Sequence, residues 1–259
     1  MENIFDIPPS LAEAYEMFRL PKLSRKILII SDLHIPYHDV DAVNACFEYA
    51  KTEDVDTVLM NGDILDFYRL SRFVQDPSKI MLKDEMELGQ KFLDVLQSTF
   101  TECGIYYKIG NHEDRLTTYL KTKAPELWGL PYFDFGEFLT LKRRNIELID
   151  STSIALYGKL PIIHGHELRM SSGGVNPARS LFLKFKTSAA CSHLHRTSDH
   201  TETTGMGKTI STHSMGCLCD LHPEYARINN WNHGFAIVEK NEMDEYEFRN
   251  YKIIKGKVV

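Results

Sequence analysis

Five short apolar runs in this chain each stop at a group of polar side chains, and this repetition restricts the fold more than any other feature. The clearest run ends at Met60 and is followed by Asn61, Gly62 and Asp63. In isolation, a Gly-Asp after a strand more often marks a turn with a helix-capping aspartate. A buried parallel strand with such an ending instead delivers its carboxylate to the edge where open α/β sheets place their ligands. The repetition favours the second interpretation, so the Asp63 side chain is predicted to face a ligand site at the edge of the sheet and not the protein core.

The other four runs are also followed by residues with carboxylate, amide or imidazole side chains. Residues 27–30 lead into Asp32-Leu33-His34, residues 105–109 into Gly110-Asn111-His112-Glu113, residues 160–163 into His164-Gly165-His166, and residues 189–191 into His193-Leu194-His195. Apolar residues at helical spacing follow Asp39 and recur from Leu82 to Phe100, which is typical of crossover helices between parallel strands. The chain of 259 residues is therefore expected to form one α/β domain, residues 1–259.

Together these loops supply carboxylate, amide and imidazole groups but no thiolate: Asp32, His34, Asp63, Asn111, His164, His193 and His195. This donor set suits Mn, Fe, Zn or Ni better than Ca or a cysteine-rich structural zinc site. The Asp-x-His and His-x-His spacings place two side chains on the same side of an extended segment, so that one loop can reach one or two metals. In the His-Gly-His motif either histidine can be the ligand, and His164 is expected because it directly follows the strand.

The order of these motifs closely resembles that of the calcineurin-like metallophosphoesterases over residues 32–195, from Asp32-x-His34 through Gly62-Asp63-x-x-Asp66 to His193-x-His195. One departure is Ser192, which stands where that family usually has glycine and is expected to crowd the site only slightly. The resemblance implies a four-layer αββα sandwich with two mixed β-sheets. It also implies two divalent metal ions as cofactors, with manganese the first expectation.

Carried over to this chain, the resemblance divides the ligands between two metals that share Asp63. It puts Asp32, His34, Asp63 and His195 on one ion, and Asp63, Asn111, His164 and His193 on the other. Sharing a carboxylate is physically reasonable, because two neighbouring dications repel each other and need negative charge between them.

Several polar residues near these ligands are candidates for catalysis or substrate binding. The resemblance points His112 at the substrate, where it would protonate the leaving oxygen. Asp66 either holds the working tautomer of His112 or caps the segment that follows, and both interpretations stay open. Arg115 either clamps a phosphate or pairs with a neighbouring acid on a solvated face. Arg69 and His38 flank the expected mouth of the site and are candidates for substrate contact.

The expected reaction is metal-dependent hydrolysis of a phosphate ester. A phosphodiesterase acting on a nucleotide or nucleic acid is favoured, because two dications, two carboxylates and a hydroxide sum to about +1, which a diester monoanion neutralises. A phosphomonoesterase such as a Ser/Thr protein phosphatase is the alternative, with Arg69 or Arg115 beside the metals. A non-enzymatic scaffold is disfavoured, since such a protein should lack ligands or the acid. Trp231 either stacks a base or anchors its loop by packing.

The remaining expectations come from composition. The formal net charge of -6 argues against a broad basic surface for nucleic acid, although a local basic groove is compatible with it. Five cysteines without framework spacing suit reduced thiols, and Cys217 and Cys219 are expected to be buried thiols and not zinc ligands. No apolar run is long enough for a membrane span, and the acidic start is no secretory signal, so a cytoplasmic protein without a membrane partner is expected.

Residues 9–20 carry apolar side chains at helical spacing and predict a short amphipathic helix.

Overall fold

The secondary structure follows from a computed structural model, which describes residues 4–12, 15–73, 76–170 and 174–259. Its strands are β1 (Glu16–Arg19), β2 (Lys26–Ile30), β3 (Thr57–Asn61), β4 (Gly104–Lys108), β5 (Ile146–Ile149), β6 (Ser153–Tyr157), β7 (Leu160–Ile162), β8 (Ala189–Cys191), β9 (Ser198–Thr203), β10 (Thr209–Ser214), β11 (His233–Lys240), β12 (Tyr246–Ile254) and β13 (Lys257–Val258). Its helices are α1 (Val40–Thr52), α2 (Leu82–Thr99), α3 (Asp114–Lys123), α4 (Phe135–Phe138) and α5 (Pro177–Phe185). In the described part of the chain, no helix has both the length and the apolar character needed to span a membrane.

The strands form two sheets, and each sheet mixes parallel and antiparallel pairs. The seven-stranded sheet has the order β13-β12-β11-β2-β3-β4-β5, in which β2 to β5 are parallel and β11 runs antiparallel to β2. The six-stranded sheet has the order β1-β6-β7-β8-β10-β9, with β7, β8 and β10 parallel. The parallel arrangement predicted for the first half of the chain is therefore confirmed.

The apolar strands bury both of their faces, and this produces the layers. Along β2, Ile27 and Ile29 face the core between the sheets, whereas Leu28 and Ile30 face the core under α1 and α2. A third cluster covers the outer face of the six-stranded sheet, where Leu181 of α5 packs with residues of β8. Successive side chains of a strand point to opposite faces, so a continuous apolar run is what a strand buried on both sides requires. The resulting order of helix, sheet, sheet and helix confirms the predicted αββα sandwich.

The helix predicted over residues 9–20 is wrong, because none of the described residues of this segment is helical. Residues 16–19 form β1, which pairs in parallel with β6 at the edge of the six-stranded sheet. Phe18 packs against the core between the sheets, while Leu11 and Tyr15 are exposed. Glu13 and Ala14 lie outside the described residues. Pairing with a distant strand has overridden the local helical spacing, as it often does for short segments.

The predicted ligand loops converge from both sheets and not from the edge of one. The loops after β2, β3 and β4 leave the seven-stranded sheet, and those after β7 and β8 leave the six-stranded sheet. Asn61, at the end of β3, joins the two sets, since its Nδ2 donates hydrogen bonds to the Ile163 carbonyl at 2.8 Å and to Ser192 Oγ at 2.7 Å. Ser192 therefore adds a buried hydrogen bond between the sheets at the position of the family's glycine.

Candidate metal centre

The backbone of the ligand loops is unusual, because five of the predicted ligands adopt the left-handed conformation. Their φ angles are 52° for Asp32, 50° for His34, 53° for Asp63, 67° for His193 and 55° for His195. Residues with a Cβ are uncommon in this region and cluster at sites where the surrounding structure holds them. Here the Asp32 amide donates to the Gly62 carbonyl at 3.1 Å and the His34 amide to the Asp63 carbonyl at 3.0 Å. The loops after β2 and β3 therefore hold each other in this conformation.

Two glycines allow these loops to pack closely. Gly62 has a φ of +87°, and a Cβ added there would lie 2.6 Å from His164 Nδ1. A Cβ on Gly110 would collide with the side chain and amide of Asp63. A side chain at either position would push apart the loops that carry the predicted ligands.

The first group of ligand atoms contains Asp32, His34 and His195. The Nε2 atom of His195 lies 3.1 Å from Asp32 Oδ1 and 3.3 Å from His34 Nε2. His34 Nε2 lies 3.9 Å from Asp63 Oδ2, which connects this group to the bridging candidate. All four side chains are buried.

The second group lies on the other side of Asp63. His164 Nε2 is 3.2 Å from Asp63 Oδ2 and 3.2 Å from Asn111 Oδ1. The ligand atoms of Asp63, His164 and His193 all lie within 4.8 Å of one another. His166 Nε2 points instead toward Asp114, at 3.8 Å. The structure thus places His164, and not His166, against Asp63.

Hydrogen bonds on the far side of two imidazoles leave their Nε2 atoms facing the site. His164 Nδ1 lies 2.8 Å from the Asn61 carbonyl, which can only accept, so this nitrogen carries the proton. His34 Nδ1 lies 3.1 Å from Asp66 Oδ1 and is fixed in the same way. Metal-bound histidines are commonly oriented by such bonds to a carbonyl or carboxylate. The residues therefore fit divalent cations, because buried carboxylate oxygens and imidazole Nε2 atoms point inward together.

The charges of the site favour a bound cation. Burial lowers the pKa of His164, but the nearby Asp63 and Asp32 outweigh it, and the pKa is raised to about 10. In the same way, burial opposes but Asp32 raises the pKa of His195 to about 9. Burial acts to raise the pKa of Asp63, yet the surrounding histidines hold it well below its usual value. The pocket thus stabilises added positive charge, whether that charge is a proton or a metal.

Cys219 lies beside the first group, with its Sγ 3.9 Å from His195 Nδ1. It approaches the ring on the side opposite Nε2, the atom that faces Asp32. A hydrogen bond with Cys217 and burial both raise the pKa of the Cys219 thiol. Both cysteines are buried, as the sequence predicts.

Glu113 is a residue of the site whose importance the sequence did not reveal. Its buried carboxylate accepts hydrogen bonds from the amides of Asp63 (2.9 Å), Ile64 (2.8 Å), Leu65 (3.2 Å) and Gly110 (2.9 Å) and from Tyr107 Oη (2.8 Å). An acidic residue before a helix ordinarily suggests a cap or a favourable dipole interaction. Glu113 makes no cap bond to α3 and ties the loop after β3 to the loop after β4.

Glu167 does the same for the loop after β7. It accepts hydrogen bonds from the amides of His164 at 3.1 Å and Gly165 at 2.6 Å. It also forms an ion pair with the fully buried Lys108, whose Nζ is 3.0 Å away. Burial opposes ionisation, but Lys108 and the neighbouring histidines lower the pKa of Glu167 to about 2. This ion pair anchors the His164 loop to the end of β4.

His112, Asp66 and Arg115 form the rim of the site. His112 Nδ1 donates to the Asp66 carbonyl at 2.8 Å, and its Nε2 accepts from Arg115 Nη2 at 3.0 Å. Asp66 Oδ1 lies 3.2 Å from His112 Nδ1, so the carboxylate is shared between His112 and His34. The capping interpretation of Asp66 finds no support, since the helical turn Tyr68–Leu70 has Phe67 at its N-cap and no side-chain cap bond. Arg115 turns toward the rim and its Nη1 donates to the Asp66 carbonyl at 2.7 Å.

The two other substrate candidates differ in how their side chains are used. Arg69 donates to the carbonyls of Pro77 (2.8 Å), Lys79 (2.7 Å) and Ile80 (2.9 Å), and so holds this segment in place. The backbone of His38 forms an isolated bridge with Cys219, and the buried Nδ1 of its side chain has no hydrogen-bond partner among the described residues. Burial lowers the pKa of His38.

Comparison with known proteins matches this chain to a family model and to several relatives. Residues 25–205 match the family model of the calcineurin-like phosphoesterases, a segment that contains every predicted ligand. The chain is also similar to the Gene 54 protein of Mycobacterium phage L5, with 25% identity over 230 residues that cover 83% of this chain and 89% of the phage protein. The Gene 54 protein of Mycobacterium phage D29 is 25% identical over 232 residues, with the same coverage of 83% and 89%. Among solved structures, a Vps29 single mutant from Entamoeba histolytica is similar over 90% of this chain and 96% of its own, at 15% identity and a TM-score of 0.48.

Proposed function

Since this chain belongs to the calcineurin-like phosphoesterase family, we propose that it hydrolyses phosphate esters, and in particular phosphodiesters of nucleotides or nucleic acids. The observation that carries the proposal is the convergence of buried carboxylate oxygens and imidazole nitrogens on both sides of Asp63. The open rim beside them carries a histidine and an arginine in contact with each other.

The proposed ligand sets are those of the family, with Asp63 shared. Asp32, His34 and His195 would complete one set, and Asn111, His164 and His193 the other. When bound, a pair of divalent cations, for which we propose manganese, supplies Lewis-acid polarisation of the phosphoryl group and activation of a water molecule. The protein's part is to hold these side chains in place through Glu113 and Glu167, whose bonds do not depend on metal.

His112 is proposed as the group that gives a proton to the leaving oxygen. Its Nδ1 is held by Asp66, so a proton on Nε2 is the one that faces the rim. Burial lowers the pKa of His112, but Asp63 and Asp66 outweigh it and raise the pKa above its usual value. A histidine with such a pKa holds a transferable proton near neutral pH. In the structure Arg115 donates to this Nε2, which requires an unprotonated Nε2; once Nε2 carries the proton, Arg115 would turn this donor to a phosphoryl oxygen.

A diester is proposed over a monoester because only one of the two candidate arginines, Arg69 and Arg115, faces the rim of the site. Arg69 is engaged by backbone carbonyls, which leaves Arg115 as the candidate of the two that faces the rim. A monoester dianion would be better matched by two free guanidinium groups. A phosphomonoesterase remains the second candidate, with Arg115 as the observation in its favour.

Hydrolysis assays of the manganese-loaded protein test both the proposed phosphoesterase activity and the proposed preference for diesters. Bis(p-nitrophenyl) phosphate should be hydrolysed with a higher kcat/KM than p-nitrophenyl phosphate. His112→Ala should lower kcat by about 10²- to 10⁴-fold with metal content unchanged. His200→Ala is the matched control, because His200 pairs with Glu202 on an edge strand outside the site and should not affect turnover. A preference for the monoester would overturn the diester assignment, and no turnover of either compound would favour a scaffold.

A further inference from the structure

The loop formed by residues 217–233 closes over one side of the site. Its two ends meet, since the Cys217 amide donates to the Asn232 carbonyl at 3.0 Å and the Gly234 amide to the Cys217 carbonyl at 3.0 Å. The Asn232 amide also donates to the carbonyl of His195, at 2.9 Å. This loop is therefore fastened directly to a predicted ligand.

Two aromatic side chains of this loop, Trp231 and Tyr225, form consecutive ring contacts that start at the predicted ligand His195. The ring of Trp231 meets the ring of His195 edge to face, with 4.1 Å between centroids and 67° between planes. Tyr225 follows, with its centroid 6.2 Å from that of Trp231. Trp231 is half-buried, whereas 76% of the Tyr225 surface is exposed. We name this pair the aromatic wall.

Tyr225 is placed relative to the metal centre by these ring contacts. Trp231 touches the ring of the predicted ligand His195, and Tyr225 touches Trp231 on the exposed part of the loop. Tyr225 is therefore separated from a predicted ligand by a single aromatic side chain.

The loop is held in shape without help from the Tyr225 ring. Asn229 Nδ2 donates to the carbonyls of Leu221 and Ala226, both at 2.6 Å, and Asn229 Oδ1 accepts from the Trp231 amide at 2.8 Å. The Asp220 amide donates to the Tyr37 carbonyl at 2.7 Å. An aromatic ring exposed at a site and unnecessary for packing is available to a ligand.

A cleft of about 420 Å³ lies beside Trp231. It is also lined by the start of α1, by His233 and by residues 253–256, whereas Tyr225 and the predicted metal ligands are not among its lining residues. Its volume lies within the range of ligand pockets, roughly 300–1,000 Å³. The carboxylate, amide and imidazole groups of its lining can hydrogen-bond the edge of a base.

We propose that the aromatic wall stacks a nucleobase of the substrate and so selects base-bearing phosphodiesters over diesters without a ring. This inference rests on the proposed function and deepens it. A base offers a flat π-face to Tyr225 or Trp231, and stacking of this kind tolerates any base sequence. The wall gives an acidic protein a means of holding nucleotides that does not need a broad basic surface.

A comparison of two substrates tests the wall. The manganese-loaded protein is assayed with a thymidine dinucleotide and with the same compound in which both bases are replaced by hydrogen. Wild type should prefer the base-bearing compound in kcat/KM, and Tyr225→Ala should reduce this preference by about 5- to 50-fold. Tyr225→Phe should keep the preference, because the ring remains.

Tyr132→Ala is the matched control, since Tyr132 is 84% exposed on a separate helical turn, and it should keep the wild-type preference. Metal content and Tm, measured for every variant, establish that the site is intact. Equal turnover of both compounds by wild type, or a preference that survives Tyr225→Ala, would overturn the wall. Failure of wild type to cleave either compound or bis(p-nitrophenyl) phosphate would instead overturn the proposed function itself.

Discussion

Replacing Glu113 by Gln should loosen the two loops that carry Asp63 and Asn111. In the structure, Oε1 of Glu113 accepts from Ile64, Leu65 and Tyr107, and Oε2 accepts from Asp63 and Gly110. The substitution turns one of these oxygens into an NH₂ group, which only donates. At least two donors then lose their acceptor, whichever way the amide turns.

The magnitude follows from the burial of these donors. A buried donor without a partner costs about 1–3 kcal/mol, so the free energy of unfolding should fall by about 2–6 kcal/mol. For a chain of this size a change of 1 kcal/mol shifts Tm by roughly 2–4 °C, and a decrease of at least about 4 °C is expected. The affinity for manganese should fall as well, because the loops must then be ordered on binding.

Unfolding is measured in chelator, so that the change reports the protein and not its metal, and manganese affinity is measured separately by calorimetry. Glu126→Gln is the matched control, because Glu126 is exposed on a short helical turn and should leave both values unchanged. If Glu113→Gln unfolds within about 0.5 kcal/mol of this control, the hydrogen bonds do not hold the loops as argued.

Two further predictions concern charge. Asp63→Asn should lower the number of bound manganese ions measured by elemental analysis, because it removes the negative charge between the two groups of ligands; unchanged metal content would refute the shared role of Asp63. Burial raises the pKa of Glu85 to about 8. Its Oε1 accepts from the Phe67 amide at 2.5 Å, and Oε2 has no hydrogen-bond partner in the described part of the chain. Because the folded state then binds this proton more tightly than the unfolded state, stability is full below the ordinary pKa and falls by roughly 1.4 kcal/mol per unit as pH rises toward 8. Glu85→Gln should remove that part of the loss in urea unfolding measured from pH 5 to pH 8, and an identical pH dependence in the variant would contradict it.

The parts of the fold that the sequence predicts are those in which local chemistry and tertiary structure agree. The run ending at Ile30 is apolar on both faces of its strand, and Asp39 caps α1 through the Ala42 amide at 2.8 Å. Strand β1 was missed because its partner β6 is more than a hundred residues away. The sequence alone also did not divide the ligand loops between two sheets, since nothing near His164 indicates which sheet its strand joins.

The candidate site shows the same contrast between ligands and their supports. Asp32 and His34 are recognisable because metals accept few residue types and the spacing repeats. Glu113 and Glu167 are ordinary acidic residues by sequence. Only the folded chain shows that their carboxylate oxygens accept hydrogen bonds from the backbone amides of the ligand loops.

These buried carboxylates explain how a strained set of ligands can exist before metal binds. Left-handed residues such as Asp32 and Asp63 each cost of order 1–3 kcal/mol, so the loops would relax if nothing opposed them. Hydrogen bonds to an ionised carboxylate contribute about 1.5–3 kcal/mol each, and Glu113 alone accepts four from backbone amides. The supports therefore offset the strain, and metal binding does not have to supply the ordering of the loops. It follows that a loss of Glu113 should weaken the affinity for metal even though this residue touches none.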